Sequence, residues 1–520
     1  MLFNSLEFAV FFPLVCALYF TLGRRGQTVL LLVSSCVFYM AFVPVYILIL
    51  GVTIAIDYVA GLWLEEATGP RRKAILLGSI VATCLVLFVF KYFAFFTGSF
   101  VGIAGLLGWK LSAPALHIIL PIGLSFHTFQ SLSYVVEVYR GHQKAERDFA
   151  IYATYVMFFP QLVAGPIVRA ADFIPQLLAP YQLSRRDFGL AVFWILNGLM
   201  KKVVIGDYIA LNFIDRVFDD PVRYSGFECL MALFAYSLQV YADFSGYTDI
   251  AIGVALLMGF KLATNFNSPY KAAHVGEFWK RWHMSLSTWL RDYLYIPLGG
   301  NRGATLGTWI CAGLLLLVAV LLSGAFWLVP LAFSIVAACV VLVRYVPNMK
   351  EGITTNINLM MTMLLGGLWH GASWMFVIWG GLNGLALVFY KAWYKVSPWK
   401  NDKRWPVHAM AVALTLTFIT FTRVWFRSPS LEIAGSMLHQ IGNAFSPSVI
   451  PAVLIGFKSV FLLMLVGYVI HWLPATFKQR YRERFADLPL WAMGLVTVGT
   501  VFITYQFAAA GSVPFIYFQF

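Results

Sequence analysis

Residues 71–96 read RRKAILLGSIVATCLVLFVFKYFAFF, and the order of residue types in that stretch decides the fold class. A basic cluster, Arg71–Arg72–Lys73, precedes an apolar run, Ala74–Phe96, that exceeds the ~20 residues a helix needs to cross a bilayer's hydrocarbon core. Leu306–Leu328, Val453–Trp472 and Leu488–Phe507 are further runs of this kind. Of the 520 residues, 60% are hydrophobic and 12% charged, whereas a soluble protein carries roughly 25% charged residues. No water reaches the hydrocarbon core, so backbone polar groups must pair within the chain, and continuous apolar runs do so as helices. A β-barrel would show short alternating segments instead. The sequence thus predicts an all-α polytopic membrane protein in contact with membrane lipids. Its net charge of +14 sits between the spans, as the positive-inside rule requires, and points to no nucleic acid.

The basic loops also give a topology. Arg24–Arg25, Arg71–Lys73, the loop from Arg140 to Asp148, the stretch Lys391–Arg404 and the group Lys478–Arg484 are read as cytoplasmic, and residues 97–114, with a single lysine, as external. This leaves both termini extracytoplasmic, with ten to twelve crossings plus partial helices. The first apolar run follows Glu7 without a basic leader and reads as a retained helix, not a signal peptide. Between 150 and 300, Arg169, Arg185–Arg186, Lys201–Lys202 and Lys280–Arg281 interrupt short or Gly/Pro-rich segments, which reads as re-entrant or interfacial helices. Asn358–Trp369 is too short to span, so His370 falls at a turn between two segments that both start from the cytoplasmic side. That puts it deep in the bilayer or in its outer half. The polar loops are too short to fold alone, so residues 1–520 read as one membrane domain. The six cysteines, Cys16, Cys36, Cys84, Cys229, Cys311 and Cys339, lie in apolar stretches without metal-ligand spacing and read as buried thiols, with no metal site.

An ionisable group deep in a bilayer is costly and marks function by default. His370 stands in GGLWHGASW (366–374), with glycines that permit bends and close approach and with Trp369 and Trp374 as rigid walls. An apolar cavity favours the neutral imidazole, the form a general base requires. The plain alternative is a structural histidine bonded to a carbonyl. His283 lies in EFWKRWHMSLSTWLRDY (277–293), read as one helix with His283, Trp279, Trp289 and Tyr293 on one broad face and Lys280, Arg281 and Arg291 elsewhere. An interfacial amphipathic helix explains the aromatics and the charges but not a histidine on the apolar face. Asp243 and Asp249 do not share a helix face, so hydrogen bonding between helices is the better reading there. His117 and His127 read as packing. His408, His439 and His471, near inferred membrane boundaries, carry little signal.

The chain resembles the membrane-bound O-acyltransferase family (MBOAT), most closely its bacterial cell-envelope branch. The segments that carry the resemblance are EFWKRWHMSLSTWLRDYLYIPLGGNR (277–302), GGLWHGASW (366–374), PIGLSFHTFQSLSYVVEVYRG (121–141), FFPQLVAGPIVR (158–169) and YADFSGYTDIAIG (241–253). The resemblance implies a ring of tilted transmembrane helices, with partial helices around a central region entered by a funnel from each side. It implies that His370 is the catalytic histidine and His283 the supporting one. It further implies that an acyl thioester, on coenzyme A or a phosphopantetheine carrier protein, is the donor substrate, with no bound cofactor. The expected reaction is transfer of an acetyl or similar short acyl group across the inner membrane, for O-acetylation of an exopolysaccharide or cell-wall polymer. His283 or the indole N–H of Trp369 or Trp374 could hold the oxyanion, and Lys280, Arg281 and Arg291 could attract the carrier arm's phosphates or anchor the surface.

The tail, residues 511–520, is similar to the short aromatic tail of envelope-acylation systems. There Tyr517 could pass the acyl group to an extracytoplasmic SGNH-type acetyltransferase, or serve in an outer aromatic belt. One departure from the branch is the hydrophobic pair at 306–346, read as an extra helical hairpin. A transporter or flippase for a lipid-linked saccharide would also use broken helices and buried polar groups, but predicts inverted repeats that the sequence does not show. A noncatalytic scaffold is the third reading.

Overall fold

A computed structural model of the chain describes residues 1–112, 121–163, 165–180, 183–322, 328–400, 402, 404–508 and 515, and every regular element among them is a helix. The protein is an all-α polytopic membrane protein. Among the described residues, six helices are long and apolar enough to cross a membrane: Tyr46–Glu66, Gly69–Leu106, Arg185–Asp219, Trp374–Val396, Trp405–Arg427 and Leu490–Ala508. This is fewer than the ten to twelve crossings expected, for a physical reason. Gly226–Leu257, with 32 residues, and Pro347–His370, with 24, are long enough but turn polar side chains into the protein rather than apolar ones to lipid. Leu6–Thr21 and Val329–Tyr345 are apolar but shorter.

Four sequence-based expectations are corrected. The half-length segment Asn358–Trp369 is the end of the Pro347–His370 helix, about 36 Å long. Its polar start continues as helix because Asn358 is fully buried and occupied: its Nδ2 donates to the carbonyls of Gly300 (2.9 Å) and Gly303 (2.8 Å), and Thr308 Oγ1 donates to its Oδ1 (3.2 Å). Val453–Trp472 is not one continuous helix, since Pro447–Gly456 and Lys458–Trp472 meet at 89°. Lys201 and Lys202 do not interrupt a segment but lie in a π-helical part of Arg185–Asp219. Of the cysteines only Cys229 is buried, and Cys84 is exposed.

The Arg185–Asp219 and Gly226–Leu257 helices form a tight pair. A Cβ on Gly198 would stand 2.5 Å from the Gly246 carbonyl oxygen, and one on Gly246 would stand 2.8 Å from that of Gly198. With the backbones this close, charges on the two helices meet and neutralise. Lys202 binds Asp207 (2.7 Å) and Asp243 (2.5 Å), while Asp249 takes Lys201 (2.6 Å) and the Asn197 amide (2.7 Å). Asp243 and Asp249 are thus bonding groups between helices, not an acid/base pair. The capping box of Ser225 and Glu228 fixes the start of the long helix. Elsewhere Asp57 accepts from Ser79 (2.5 Å) and Thr83 (3.0 Å), and His127 packs against Thr53.

Candidate active site

His370 is the last residue of its helix and is 5% exposed. The turn after it is short because Ser373 already caps the next helix, its Oγ accepting from Met375 N–H at 3.1 Å. The two helices then run back along each other through glycines. A Cβ on Gly367 would lie 2.3 Å from the Phe376 carbonyl oxygen, one on Gly380 2.4 Å from that of Met363, and one on Gly371 2.1 Å from the Phe376 ring. Gly367 and Gly371 therefore serve helix contact, not substrate approach. The seam sets the imidazole among three rings at near-perpendicular angles: Trp369 at 5.0 Å, Trp379 at 5.1 Å and Phe426 at 5.4 Å between centroids.

His283 arrives differently. Residues 277–293 are not one helix: Val275–Arg281 stops, and Met284–Leu290 starts anew. Between them His283 adopts the left-handed conformation, φ 43° and ψ 56°, which only one other non-glycine residue, Ser268, shares among those described. Such strain persists only where surrounding contacts hold it. Those contacts centre on Asn265, whose carbonyl accepts from Met284 N–H (2.9 Å) and whose Oδ1 lies 3.2 Å from His283 Nδ1. The ring is fully buried, edge-on to Phe244 at 4.6 Å.

Trp369 joins the two histidines, its centroid 5.0 Å from His370 and 6.1 Å from His283. It stacks on Phe129 (5.2 Å), which stacks on Trp289 (3.6 Å), and Trp289 Nε1–H donates to the Phe129 carbonyl at 2.8 Å. Segments 121–141, 277–302 and 366–374, distant in sequence, thus meet at one aromatic core. Two cations border it. Lys91 Nζ donates to Ser125 Oγ (3.0 Å) and to the Trp369 carbonyl. Arg423, 2% exposed, lies over the Trp282 ring (4.8 Å) and the Phe426 ring (5.3 Å), and pairs with no carboxylate among the described residues.

The structure thus brings His370, His283 and Trp369 together. It does not bring the remaining candidates with them. Trp374 Nε1–H donates to Ser99 Oγ (3.2 Å) and its ring packs on Phe95. Arg281 pairs with Glu277 at 2.7 Å, Arg291 with Asp292 at 2.7 Å, and Lys280 is exposed. Tyr517 lies outside the described residues. Asn265, Lys91 and Arg423 were not singled out from sequence. A lone lysine inside the apolar run 74–96 and a lone arginine inside 409–426 were readable signals by the rule for intramembrane charges, whereas Asn265, in a polar loop, gave none.

The sequence pattern of MBOAT, the membrane-bound O-acyltransferase family, matches residues 142–327. The probable alginate O-acetylase of Pseudomonas syringae pv. tomato is 37% identical over 445 residues, covering 84% of this chain and 74% of that protein. The peptidoglycan O-acetyltransferase of Helicobacter pylori is 35% identical, covering 84% of this chain and 79% of its own. The teichoic acid D-alanyltransferase of Bacillus subtilis is 24% identical over 68% of this chain and 78% of its own.

Proposed function

We propose a specific reaction for this chain, which belongs to the membrane-bound O-acyltransferase family and is an acyltransferase: it moves an acetyl group from a cytoplasmic thioester to a hydroxyl on the other side of the inner membrane, for O-acetylation of an envelope polymer. The names of the alginate- and peptidoglycan-modifying relatives support acetyl and a polymer. The observation that carries the reading is His370, held at the tip of a rigid helix pair and separated from a second buried histidine by a single indole.

A ring nitrogen of His370 takes the proton of the acceptor hydroxyl as that oxygen bonds to the thioester carbonyl carbon. The tetrahedral oxyanion collapses, the C–S bond breaks, and the sulfur leaves as thiol with the proton the imidazolium returns. The donor is coenzyme A or a phosphopantetheine carrier protein. Of the oxyanion donors considered from sequence, the position of Trp369 between the two histidines supports it, whereas Trp374 lies against Phe95 and Ser99. Both termini are proposed to be extracytoplasmic, with Tyr517 handing the acyl group to an SGNH-type partner.

The test is His370→Ala in the native host, with the O-acetyl content of the purified envelope polymer measured by proton NMR and the protein's membrane level by immunoblot. Loss of O-acetyl at normal protein level is expected. Unaltered acetylation would leave a noncatalytic scaffold as the better reading.

A further inference from the structure

The oxygen and nitrogen of the Asn265 amide are assigned by what surrounds them. Its Oδ1 lies 3.1 Å from Ser285 N–H, which can only donate, so the atom there must be the acceptor oxygen. Ser285 Oγ already accepts from Ile167 N–H at 3.0 Å, which leaves its own proton to point at Asn265 Oδ1, 3.0 Å away. The third group on this oxygen is His283 Nδ1, at 3.2 Å. An oxygen with no hydrogen can only accept, so Nδ1 carries the proton. In a neutral imidazole the other nitrogen is then bare. That nitrogen, Nε2, is buried and has no hydrogen-bond partner among the described residues.

We infer that Asn265 is a positioning residue that fixes His283 as its Nδ1–H tautomer, so that Nε2 meets the substrate as a hydrogen-bond acceptor for a donor other than the hydroxyl that His370 deprotonates. This deepens the acyl-transfer reading and rests on it. It also assigns a role by exclusion: a neutral His283 has no proton on Nε2 and cannot donate to the oxyanion. The shell is built for this purpose. Asn265 is 1% exposed, its backbone carbonyl pins the kinked 283–284 turn, and the donors of Ser285 and His283 converge on its Oδ1. A buried polar atom left alone costs about 1–3 kcal/mol, a cost that a substrate donor at Nε2 would relieve.

The experiment uses the full chain in lipid nanodiscs with 15N-labelled histidine, and solid-state NMR read at near-neutral pH, with His283→Gln to assign the resonance. An unprotonated Nε2 and a protonated Nδ1 are expected for His283, with Asn265→Ala mixing or reversing the tautomers. An Nε2–H signal in the wild type, as an N–H aimed at the Phe244 ring would give, overturns the inference, and so does a tautomer that Asn265→Ala leaves unmoved. In the same preparations Asn265→Ala should lower kcat for transfer from labelled acetyl-CoA about 10- to 100-fold with little change in KM for the donor, and Asn265→Asp, which keeps an acceptor oxygen, should restore most of it. A turnover loss that Asn265→Asp does not relieve counts against the inference. The NMR arm does not depend on turnover. An Nδ1–H tautomer alongside full acetylation by His370→Ala would remove the acyl-transfer reading and leave the tautomer standing.

Discussion

Two helix pairs in this protein use the same packing device and treat charge in opposite ways. The Arg185–Asp219/Gly226–Leu257 pair and the Pro347–His370/Trp374–Val396 pair both close through glycines whose added Cβ would meet a carbonyl oxygen at 2.3–2.8 Å. In the first pair the buried charges find each other: Lys202 with Asp207 and Asp243, Lys201 with Asp249. In the second, the tip carries His370 inside aromatic rings, and the neighbouring Arg423 has no carboxylate among the described residues. Close backbone contact is therefore not what distinguishes architecture from site. The difference lies in how buried charge is met: by carboxylates across the first pair, and by aromatic faces at Arg423 beside the second.

The largest effect should come from the tip of the second pair. His370→Ala removes the proposed proton acceptor, and acyl transfer should fall by about 10²–10⁴-fold while thermal unfolding in detergent stays near wild type. Radiolabelled acetyl transfer and differential scanning fluorimetry on one preparation would check both halves. A stability loss comparable to the activity loss would erase the distinction drawn above.

In the first pair the order reverses. Lys202→Met leaves Asp207 and Asp243 buried without their cation and should cost about 3–5 kcal/mol of stability, read as a lower unfolding temperature and reduced membrane level. Lys202→Met with Asp207→Asn and Asp243→Asn should recover most of it, since no uncompensated charge remains. No recovery in the triple variant would mean that these ions do more than neutralise one another.

The seams themselves offer a finer comparison. Gly246→Ala and Gly380→Ala each force a methyl against a backbone carbonyl, and each should cost about 1–3 kcal/mol by overpacking. Only Gly380→Ala also shifts the helix that ends in His370, so turnover per folded molecule should fall there and hold in Gly246→Ala. Equal turnover losses would show that the two seams are mechanically coupled. The smallest effect is expected at Trp374→Phe, which loses one hydrogen bond to Ser99, about 0.5–1.5 kcal/mol, and leaves turnover close to wild type. A large turnover loss there would return Trp374 to the list of oxyanion donors.

Sequence alone determined the membrane-spanning all-α class and singled out the two histidines worth testing. It could do so because run length, charge spacing and an ionisable residue in an apolar stretch are local properties, and a bilayer responds to them wherever the rest of the chain lies. The helix ends were less legible. Residues 277–293 carry a helical pattern throughout, yet the chain kinks at His283 because Asn265, eighteen residues earlier, holds the turn. The polar start of Pro347–His370 looks like a loop until Asn358 is seen to bind Gly300 and Gly303. Only the tertiary structure decided which polar atoms are spent and which remain: that Lys91 reaches the carbonyl of Trp369, 278 residues away, that Arg281 and Arg291 are taken up by nearby carboxylates, and that His283 Nε2 has no hydrogen-bond partner among the described residues. A hydrogen-bond partner is fixed by position in space, and two sequences of identical local pattern can place it or withhold it.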